Sequence, residues 1–418
     1  MPETICVLGL GYVGLPTACM FAVQGHRVIG VDVKREVVET VSRGEIHIDE
    51  AGLKTMLQAA INSRNLVART DVEPADVFII AVPTPLTPDK RADVSCVERA
   101  ARSIVPALAS GNLVILESTV PPGTTANLLC RTLSESGLKP GSDFYVAHSP
   151  ERVLPGNIFS ELVSNDRVIG GITRESAEVA CKLYKTFVEG EIFLTDATTA
   201  EMVKLVENTF RDVNIALANE LAMLAAEKDV DIFEVIAIAN RHARVNVHQP
   251  GPGVGGHCIP VDPWFIIENA NEAGSLIRRA REVNDSVPER IVKFVQQVLG
   301  GEDMRISVWG VTYKGNVDDT RETPAAPIIK GLKDRNYQVS IFDFHAKNFD
   351  CELDSLEKAV TDAHAILLLA DHKEFKYLDP EEIGQKMQRR IVIDTRHCLD
   401  PQKWKAAGFE FYLLRKKM

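Results

Sequence analysis

Residues 4–32 read TICVLGLGYVGLPTACMFAVQGHRVIGVD. Thr4 to Leu8 is a short apolar run that ends at Gly9-Leu10-Gly11-Tyr12-Val13-Gly14. A helical pattern follows, closed by Gly25, and Arg27 to Val31 makes a second strand with Asp32 at its end. A GxGxxG match alone is weak. In the order strand, GxGxxG, helix, strand, acid, with the acid 18 residues after Gly14, it is strong. The first glycine allows the tight turn, the second lets a pyrophosphate approach the helix N-terminus, and the third lets helix and strand pack closely. Gly9, Gly11, Tyr12, Val13 and Gly14 are therefore predicted cofactor contacts. Asp32 would accept from a ribose hydroxyl and repel a 2′-phosphate, so the predicted dinucleotide is NAD rather than NADP.

The βα rhythm continues outward, with strands expected at Val77 to Val82, Asn112 to Leu116 and Phe144 to Ala147. In an open parallel sheet, ligands sit outside the carboxyl ends of the strands. Thr84 in Pro83-Thr84-Pro85 and Thr119 in ESTVPPG are then either ordinary turn residues or face the cofactor cleft. After the third of these strands comes His148-Ser149-Pro150-Glu151-Arg152-Val153. An adjacent Glu-Arg pair at a strand end is either a solvated loop or a ligand clamp.

A chain of 418 residues is too long for one ordinary core, so two or three domains are expected. The net charge of −11 argues against nucleic acid or an anionic membrane as main partner. No apolar run reaches the length of a membrane span. The eight cysteines include no CxxC pair, so neither a zinc site nor a disulfide framework is indicated. The early start of the first strand leaves no room for a signal peptide, and a cytoplasmic location is expected.

Thr198 and Glu201 form a T-x-x-E capping box, predicted to open a helix running to about Lys228. Its expected core stripe includes Val203, Val206, Phe210, Val213, Leu217, Leu221 and Leu224. Lys204, Asn208 and Arg211 lie on one line of that helix, as either a functional or a solvated stripe. Downstream, Arg241, His242 and Arg244 precede Pro250 to Pro263, PGPGVGGHCIPVDP. Glycines there, Gly255 among them, let the backbone approach a ligand closely. Cys258 is presented at the loop's end with Asp262 four residues on, which favours a nucleophile over a buried hydrophobe. Arg152, Lys204, Arg211, Arg241 and Arg244 together suit an anionic small molecule.

From Met304 the βαβ rhythm restarts, with strands near 306–311, 338–342, 365–369 and 391–393. The first turn reads Trp309-Gly-Val-Thr-Tyr-Lys314, not GxGxxG, so a second dinucleotide is not expected; Lys314 and Arg321 suit a nucleotide phosphate. The predicted fold is α/β, two doubly wound Rossmann-like domains (1–197 and 301–418) joined by a central helical domain (198–300). The long apolar stripe of that domain is also a possible dimer face.

GLGYVGLP, the acid after strand two, VPTP, ESTVPPGT, SPERVLPG, KLVENTFRDVNIALANE, GPGVGGHCIPVDP and WGVTYKGNVDDTRETPA occur in this order from residue 8 to about 325. Together they resemble the UDP-glucose/GDP-mannose dehydrogenase family across nearly the whole chain. SPERVLPG and ANRHARVNVHQPGPGVGGHC look most like the members acting on UDP-N-acetyl-D-mannosamine. UDP-glucose members read closer to GGSC at the cysteine and SNPEF at the glutamate.

The resemblance implies oxidation of a nucleotide sugar's C6 alcohol to a carboxylate with two NAD+ in succession. Cys258 would form a thiohemiacetal and then a thioester. Lys204 would assist proton transfer, Asn208 share the oxyanion, Asp262 position or activate water, and Glu151 with Thr119 serve hydrolysis. Arg152, Val153, Arg211, His242, Arg244 and Gly255 would contact the sugar nucleotide, Lys204 and Asn208 lying against it too. Tyr313, Lys314 and Arg396 would hold UDP, with Arg321 near the NAD. Residues at the position of Arg244 reach into a neighbouring subunit in relatives, which implies a homodimer or larger homo-oligomer. UDP-N-acetylglucosamine or UDP-glucose are the alternative substrates. A two-electron β-hydroxyacid dehydrogenase would need no Cys258 and no second α/β domain, and an NAD-binding sensor should lose Cys258 or Lys204.

Overall fold

Four buried residues in a row, Ile5 to Leu8 and Val28 to Val31, make the body of the first strands, because a strand buried on both faces needs no polar alternation. In the computed structural model, which describes residues 2–417 apart from Asp49, Pro155, Asn269, Asn271, Glu302 and Arg415 and gives Lys416 and Lys417 as backbone only, the chain divides into two units. Unit one is Met1–Glu207 with Trp264–Asn269, and unit two is Asn208–Pro263 with Ala270–Met418.

Unit one holds an eight-stranded sheet of β1 (Thr4–Leu8), β2 (Arg27–Val31), β3 (Leu66–Arg69), β4 (Val77–Ile80), β5 (Leu113–Leu116), β6 (Tyr145–His148), β7 (Arg167–Gly171) and β8 (Ile192–Asp196). Its order is β3-β2-β1-β4-β5-β6-β7-β8, parallel except where β7 runs against β6. Ile5 and Val7 join the apolar core on one face, and Cys6 and Leu8 that on the other. The strand order reverses between β1 and β4, the switch point at which such sheets bind ligands.

Unit two carries a six-stranded sheet of β9 (Arg305–Trp309), β10 (Gln338–Phe342), β11 (Ala365–Leu368), β12 (Ile391–Asp394), β13 (Glu410–Leu413) and β14 (Lys416–Lys417), in the order β10-β9-β11-β12-β13-β14. Trp309 anchors one face, stacked on Phe375 at 5.3 Å and edge-on to Trp404 at 5.9 Å. At the end of β10 stands Asp343, which accepts the N–H of Val311 at 2.6 Å, much as Asp32 accepts that of Leu10 at 3.0 Å. It is sealed by the buried His372, 3.0 Å away. Burial would raise the Asp343 carboxyl, but the bond and charge from His372 and the N–H groups of Ala346 and His345 outweigh it and pull it down to about 2. An acid occupied in this way is not offered to a ribose, in keeping with the missing second GxGxxG.

The helices Ala197–Glu227, Ile232–Ala239 and Ser275–Leu299 lie between the sheets in sequence. Two details of the first differ from expectation. Its cap is Asp196, which accepts from Thr199 N–H at 2.9 Å and hydroxyl at 2.6 Å. Glu201 instead crosses to the loop after β5, accepting from Gly123 N–H at 2.5 Å and from Thr125 N–H and hydroxyl at 2.7 and 2.6 Å. Of the expected apolar core stripe, Val206, Phe210, Leu217 and Leu224 face outward at 48, 57, 50 and 52% exposure, while Val213 and Leu221 pack against apolar clusters. The buried side mixes small apolar residues such as Ala216 and Ala218 with polar ones: Arg281 donates to Asp212 at 2.5 Å, and Asn284 bonds both Asp212 at 2.8 Å and Asn219 at 3.1 Å.

Candidate active site

In unit one the dinucleotide turn follows from its glycines. Gly9 has φ +93°, and a Cβ on Gly14 would lie 1.9 Å from the Gly9 carbonyl oxygen. At Gly11 a Cβ would meet nothing within 4 Å, so that side of the turn is an open cradle. The helix Gly14–Val23 behind it has no side-chain cap and no acidic residue in its first turn, which leaves its N–H groups for an anion. Tyr12 and Val13 are partly buried in the turn. Asp32 accepts from Leu10 and Lys34 N–H at 3.0 and 2.9 Å, and each carboxylate oxygen keeps a further lone pair. These residues fit NAD. We predict a preference for NAD over NADP of about 10²-fold or more in kcat/KM, since two like charges at a ribose edge cost several kcal/mol. Asp32→Ala should narrow it, and equal wild-type efficiencies would rule this role out.

The loops after β4, β5 and β6 carry the other unit-one candidates. Thr84 donates its hydroxyl to the Thr119 carbonyl at 2.6 Å, tying two of them together. Glu151 is buried, with Arg152 N–H on one carboxylate oxygen at 2.7 Å and the Arg167 guanidinium on the other at 2.7 Å. The Arg152 side chain pairs with Glu207 at 2.6 Å and donates to the Asp166 carbonyl, so part of its fork is engaged within the protein; Val153 beside it is partly buried. Lys204 is 9% exposed. Burial, reinforced by the charge of Lys204, pushes His148 down to about 3, so that imidazole is neutral at physiological pH.

In unit two the cysteine loop is pressed onto the backbone behind it. A Cβ on Gly255 would lie 2.6 Å from the Glu322 carbonyl oxygen and 2.8 Å from Tyr313 Cβ, and Gly256 (φ +86°) faces the Tyr313 ring. Gly256 N–H donates to the Arg321 carbonyl at 3.2 Å. This leaves Cys258 exposed. Asp262, 2% exposed, is fixed by its N–H on the Cys258 carbonyl at 2.8 Å and by Asn208 Nδ2 at 2.7 Å. Arg321 is gripped by Asp319 through two nitrogens at 2.8 and 2.6 Å and has Nη1 3.4 Å from His257. It therefore braces the cysteine loop.

Arg396 pairs with Asp371 at 2.9 Å and lies against Gly251, where a Cβ would come 2.7 Å from its Nη1. Arg211, His242, Arg244 and Lys314 are exposed. Arg244 N–H donates to His242 Nδ1 at 3.3 Å, so Nε2 carries the proton and is the ring's donor. Tyr313 is raised above the ordinary phenol by burial and then by Asp319 and Cys258. Sequence reasoning missed the asparagines that stitch this loop to the long helix. Asn214 bonds Asn246 and His248 at 2.8 Å each, and Asn219 takes Gly251 N–H at 2.9 Å.

Among the described residues no group of His, Cys, Asp and Glu is placed to hold a metal, and no helix is long and apolar enough to cross a membrane.

Comparison with known proteins matches three consecutive profiles of the UDP-glucose/GDP-mannose dehydrogenase family: the NAD binding domain at residues 3–188, the central domain at 198–286 and the UDP binding domain at 307–401. A UDP-N-acetyl-D-mannosamine dehydrogenase of Methanocaldococcus jannaschii is 49% identical, covering 99% of this chain and 96% of the relative. An NDP-N-acetyl-D-galactosaminuronic acid dehydrogenase of Ralstonia nicotianae is 47% identical, covering 94% and 96%. The solved structure of a UDP-D-ManNAc dehydrogenase from Pyrococcus horikoshii superposes with a TM-score of 0.93 at 44% identity, covering 99% of each chain.

Proposed function

The chain belongs to the UDP-glucose/GDP-mannose dehydrogenase family, and from that premise we propose that it oxidises UDP-N-acetyl-D-mannosamine at C6 to the uronate. The observation that carries this reading is Cys258, exposed at the end of a loop whose glycines are pressed onto Tyr313 and Glu322. Oxidising an alcohol to an aldehyde needs no thiol. Taking the aldehyde on to an acid does benefit from one, since the carbonyl must be held and made oxidisable again.

Per turnover, the alcohol, two NAD+ and one water give the carboxylate, two NADH and three protons. NAD+, held at the glycine turn of unit one, would supply the hydride acceptor for each oxidation. Lys204 moves the proton at the C6 oxygen and stabilises its negative charge. The Cys258 sulfur adds to the aldehyde carbon, and loss of hydride from the thiohemiacetal leaves a thioester that water cleaves, returning the thiol. Asn208 spends one amide proton on Asp262 and offers the other to the oxyanion. Asp262 positions water, and Glu151 with Thr119 serves the hydrolysis.

Gly9, Gly11, Tyr12, Val13, Gly14, Asp32 and Thr84 hold NAD, with Arg321 on the cofactor side. Arg152, Val153, Arg211, His242, Arg244 and Gly255 contact the sugar nucleotide, and Tyr313, Lys314 and Arg396 the UDP. The domains are 1–197 for NAD, 198–300 for the centre and 301–418 for UDP. The enzyme works as a homodimer in the cytoplasm. The exposed apolar residues of the helix Ala197–Glu227 and the exposed Arg244 support the dimer, and cysteines scattered without CxxC spacing suit a reducing compartment.

The sugar's N-acetyl group adds a carbonyl that His242 Nε2–H and the remaining N–H groups of Arg152 are suited to meet. A site built for such bonds rejects a plain hydroxyl sugar by about 10³-fold or more. Steady-state NADH formation with UDP-glucose, UDP-N-acetylglucosamine and UDP-N-acetylmannosamine at equal concentrations tests this, the last being expected fastest. UDP-glucose as the best of the three would overturn both the N-acetyl argument and the substrate. Activity on the gluco epimer alone would overturn only the manno assignment.

A further inference from the structure

Behind Glu151 lies a buried charge network that neither the fingerprint nor the cysteine loop explains. Arg167 opens β7 with its side chain 5% exposed. Its Nη2 donates to Glu151 at 2.7 Å and its Nη1 to Ser149 Oγ at 3.0 Å, while its guanidinium lies over the Tyr184 ring at 4.5 Å. On the far side Glu117, at the end of β5, stands 3.9 Å from Nη1. It accepts from the Tyr184 hydroxyl at 2.5 Å and the Thr17 hydroxyl at 3.3 Å. One guanidinium thus serves two buried carboxylates, one of them unused by the chemistry above.

We propose that Arg167 is the positioning residue for Glu151 and that Glu117 competes with Glu151 for its charge, so that the pair sets the orientation and basicity of the carboxylate that promotes thioester hydrolysis. This rests on the reading of Glu151 as the group serving that step. The planar fork, held at Ser149 and over Tyr184, leaves one direction for the N–H that meets Glu151, which a lysine ammonium cannot reproduce. Both Glu151 oxygens accept a bond from protein donors, and each retains a lone pair for water.

The groups around Glu151 that bear charge or titrate are Arg167 on β7, Glu117 at the end of β5, Tyr184 on the helix Arg174–Tyr184, His148 on β6, Arg152 beside it and Lys204 on the helix Ala197–Glu227. Burial holds His148 neutral, at about 3, and pushes the Tyr184 phenol well above its usual range. Burial also lifts Glu117 to about 7 against the pull of Arg167. Glu117 therefore changes charge near neutrality.

The signs follow. Without Arg167, Glu151 loses its cation and its proton is held more tightly, so the acid limb of the hydrolytic step moves up. Glu117 draws on Arg167 only where it is ionised, above about pH 7, so its removal alters the profile there and leaves the acid side unchanged.

The test uses the full-length enzyme with UDP-N-acetyl-D-mannosamine and excess NAD+, read by NADH burst, by intact mass after acid quench, and by the pH profile of turnover. Arg167→Met should release two NADH per active site rapidly, then slow by about 10²-fold with the acyl adduct on the protein. Its acid limb should rise by about one pH unit or more. Arg167→Lys should recover the limb more fully than the rate, and Glu117→Gln should remove the change in turnover near pH 7 that ionisation of Glu117 brings. If Arg167→Met does not fold, Glu117→Gln decides, an unchanged profile near pH 7 counting against the proposal. Adduct in Glu151→Gln with neither adduct nor limb shift in Arg167→Met would overturn the role of Arg167 alone. No adduct in Glu151→Gln would overturn the reading of Glu151, and this inference with it.

Discussion

Replacing Cys258 with alanine should abolish carboxylate formation, with a loss of about 10³-fold or more, while NAD binding stays at its wild-type affinity. The separation is expected because the thiol lies in the loop braced by Tyr313 and Arg321, whereas the dinucleotide turn is built from β1, β2 and the helix Gly14–Val23. Fluorescence titration with NAD and acid formation from UDP-N-acetyl-D-mannosamine separate the two effects. Cys258→Ser should retain acylation at a reduced rate and accumulate an ester, because an alkoxide leaves less readily than a thiolate. An alanine variant still yielding two NADH per sugar would end the covalent mechanism.

The second large effect is expected at Lys204. Lys204→Met keeps most of the apolar stem at this nearly buried position and removes only the ammonium. The first hydride transfer should slow by about 10²- to 10⁴-fold, the range for general acid–base help and for loss of one oxyanion donor. Arginine should not rescue it, since a guanidinium does not give up its proton. Deuterium at C6 should then slow the variant by a primary isotope effect, because chemistry becomes rate-limiting. A first turnover at the wild-type rate in Lys204→Met would remove this residue from the reaction.

The dinucleotide half of the fold was legible because its strands obey a simple rule. After their first residues, Thr4 and Arg27, β1 and β2 are buried without polar interruption and lie where the apolar runs predicted them, at 4–8 and 27–31. β7 was not legible. It begins with an arginine and ends in two glycines, a pattern that reads as a turn; yet Cβ atoms on Gly170 and Gly171 would come within 2.3 Å of Asp196 O and 2.2 Å of Thr173 O. Those glycines are there for close packing. β8 is half exposed along its length, which blurs its signal.

The long helix misled for another reason. Its largest apolar residues were expected inward, but four of them face outward, and a polar set of Asp212, Arg281, Asn284 and Asn219 shares the buried side with Ala216 and Ala218. Polar satisfaction across about 70 residues of sequence leaves no local period to read. Cys258, Asp262 and Asn208 stood out by residue type and spacing, and the structure joins Asn208 to Asp262 at 2.7 Å. The network of Glu117, Arg167 and Tyr184 did not stand out, since each member alone reads as an ordinary surface or core residue.

The central claim is a four-electron oxidation at a single alcohol, and its most direct test is the number of NADH molecules formed per UDP-N-acetyl-D-mannosamine consumed, with the sugar limiting and NAD+ in excess. The account predicts two, with the uronate as the sole sugar product. One NADH per sugar, with an aldehyde released, would contradict it.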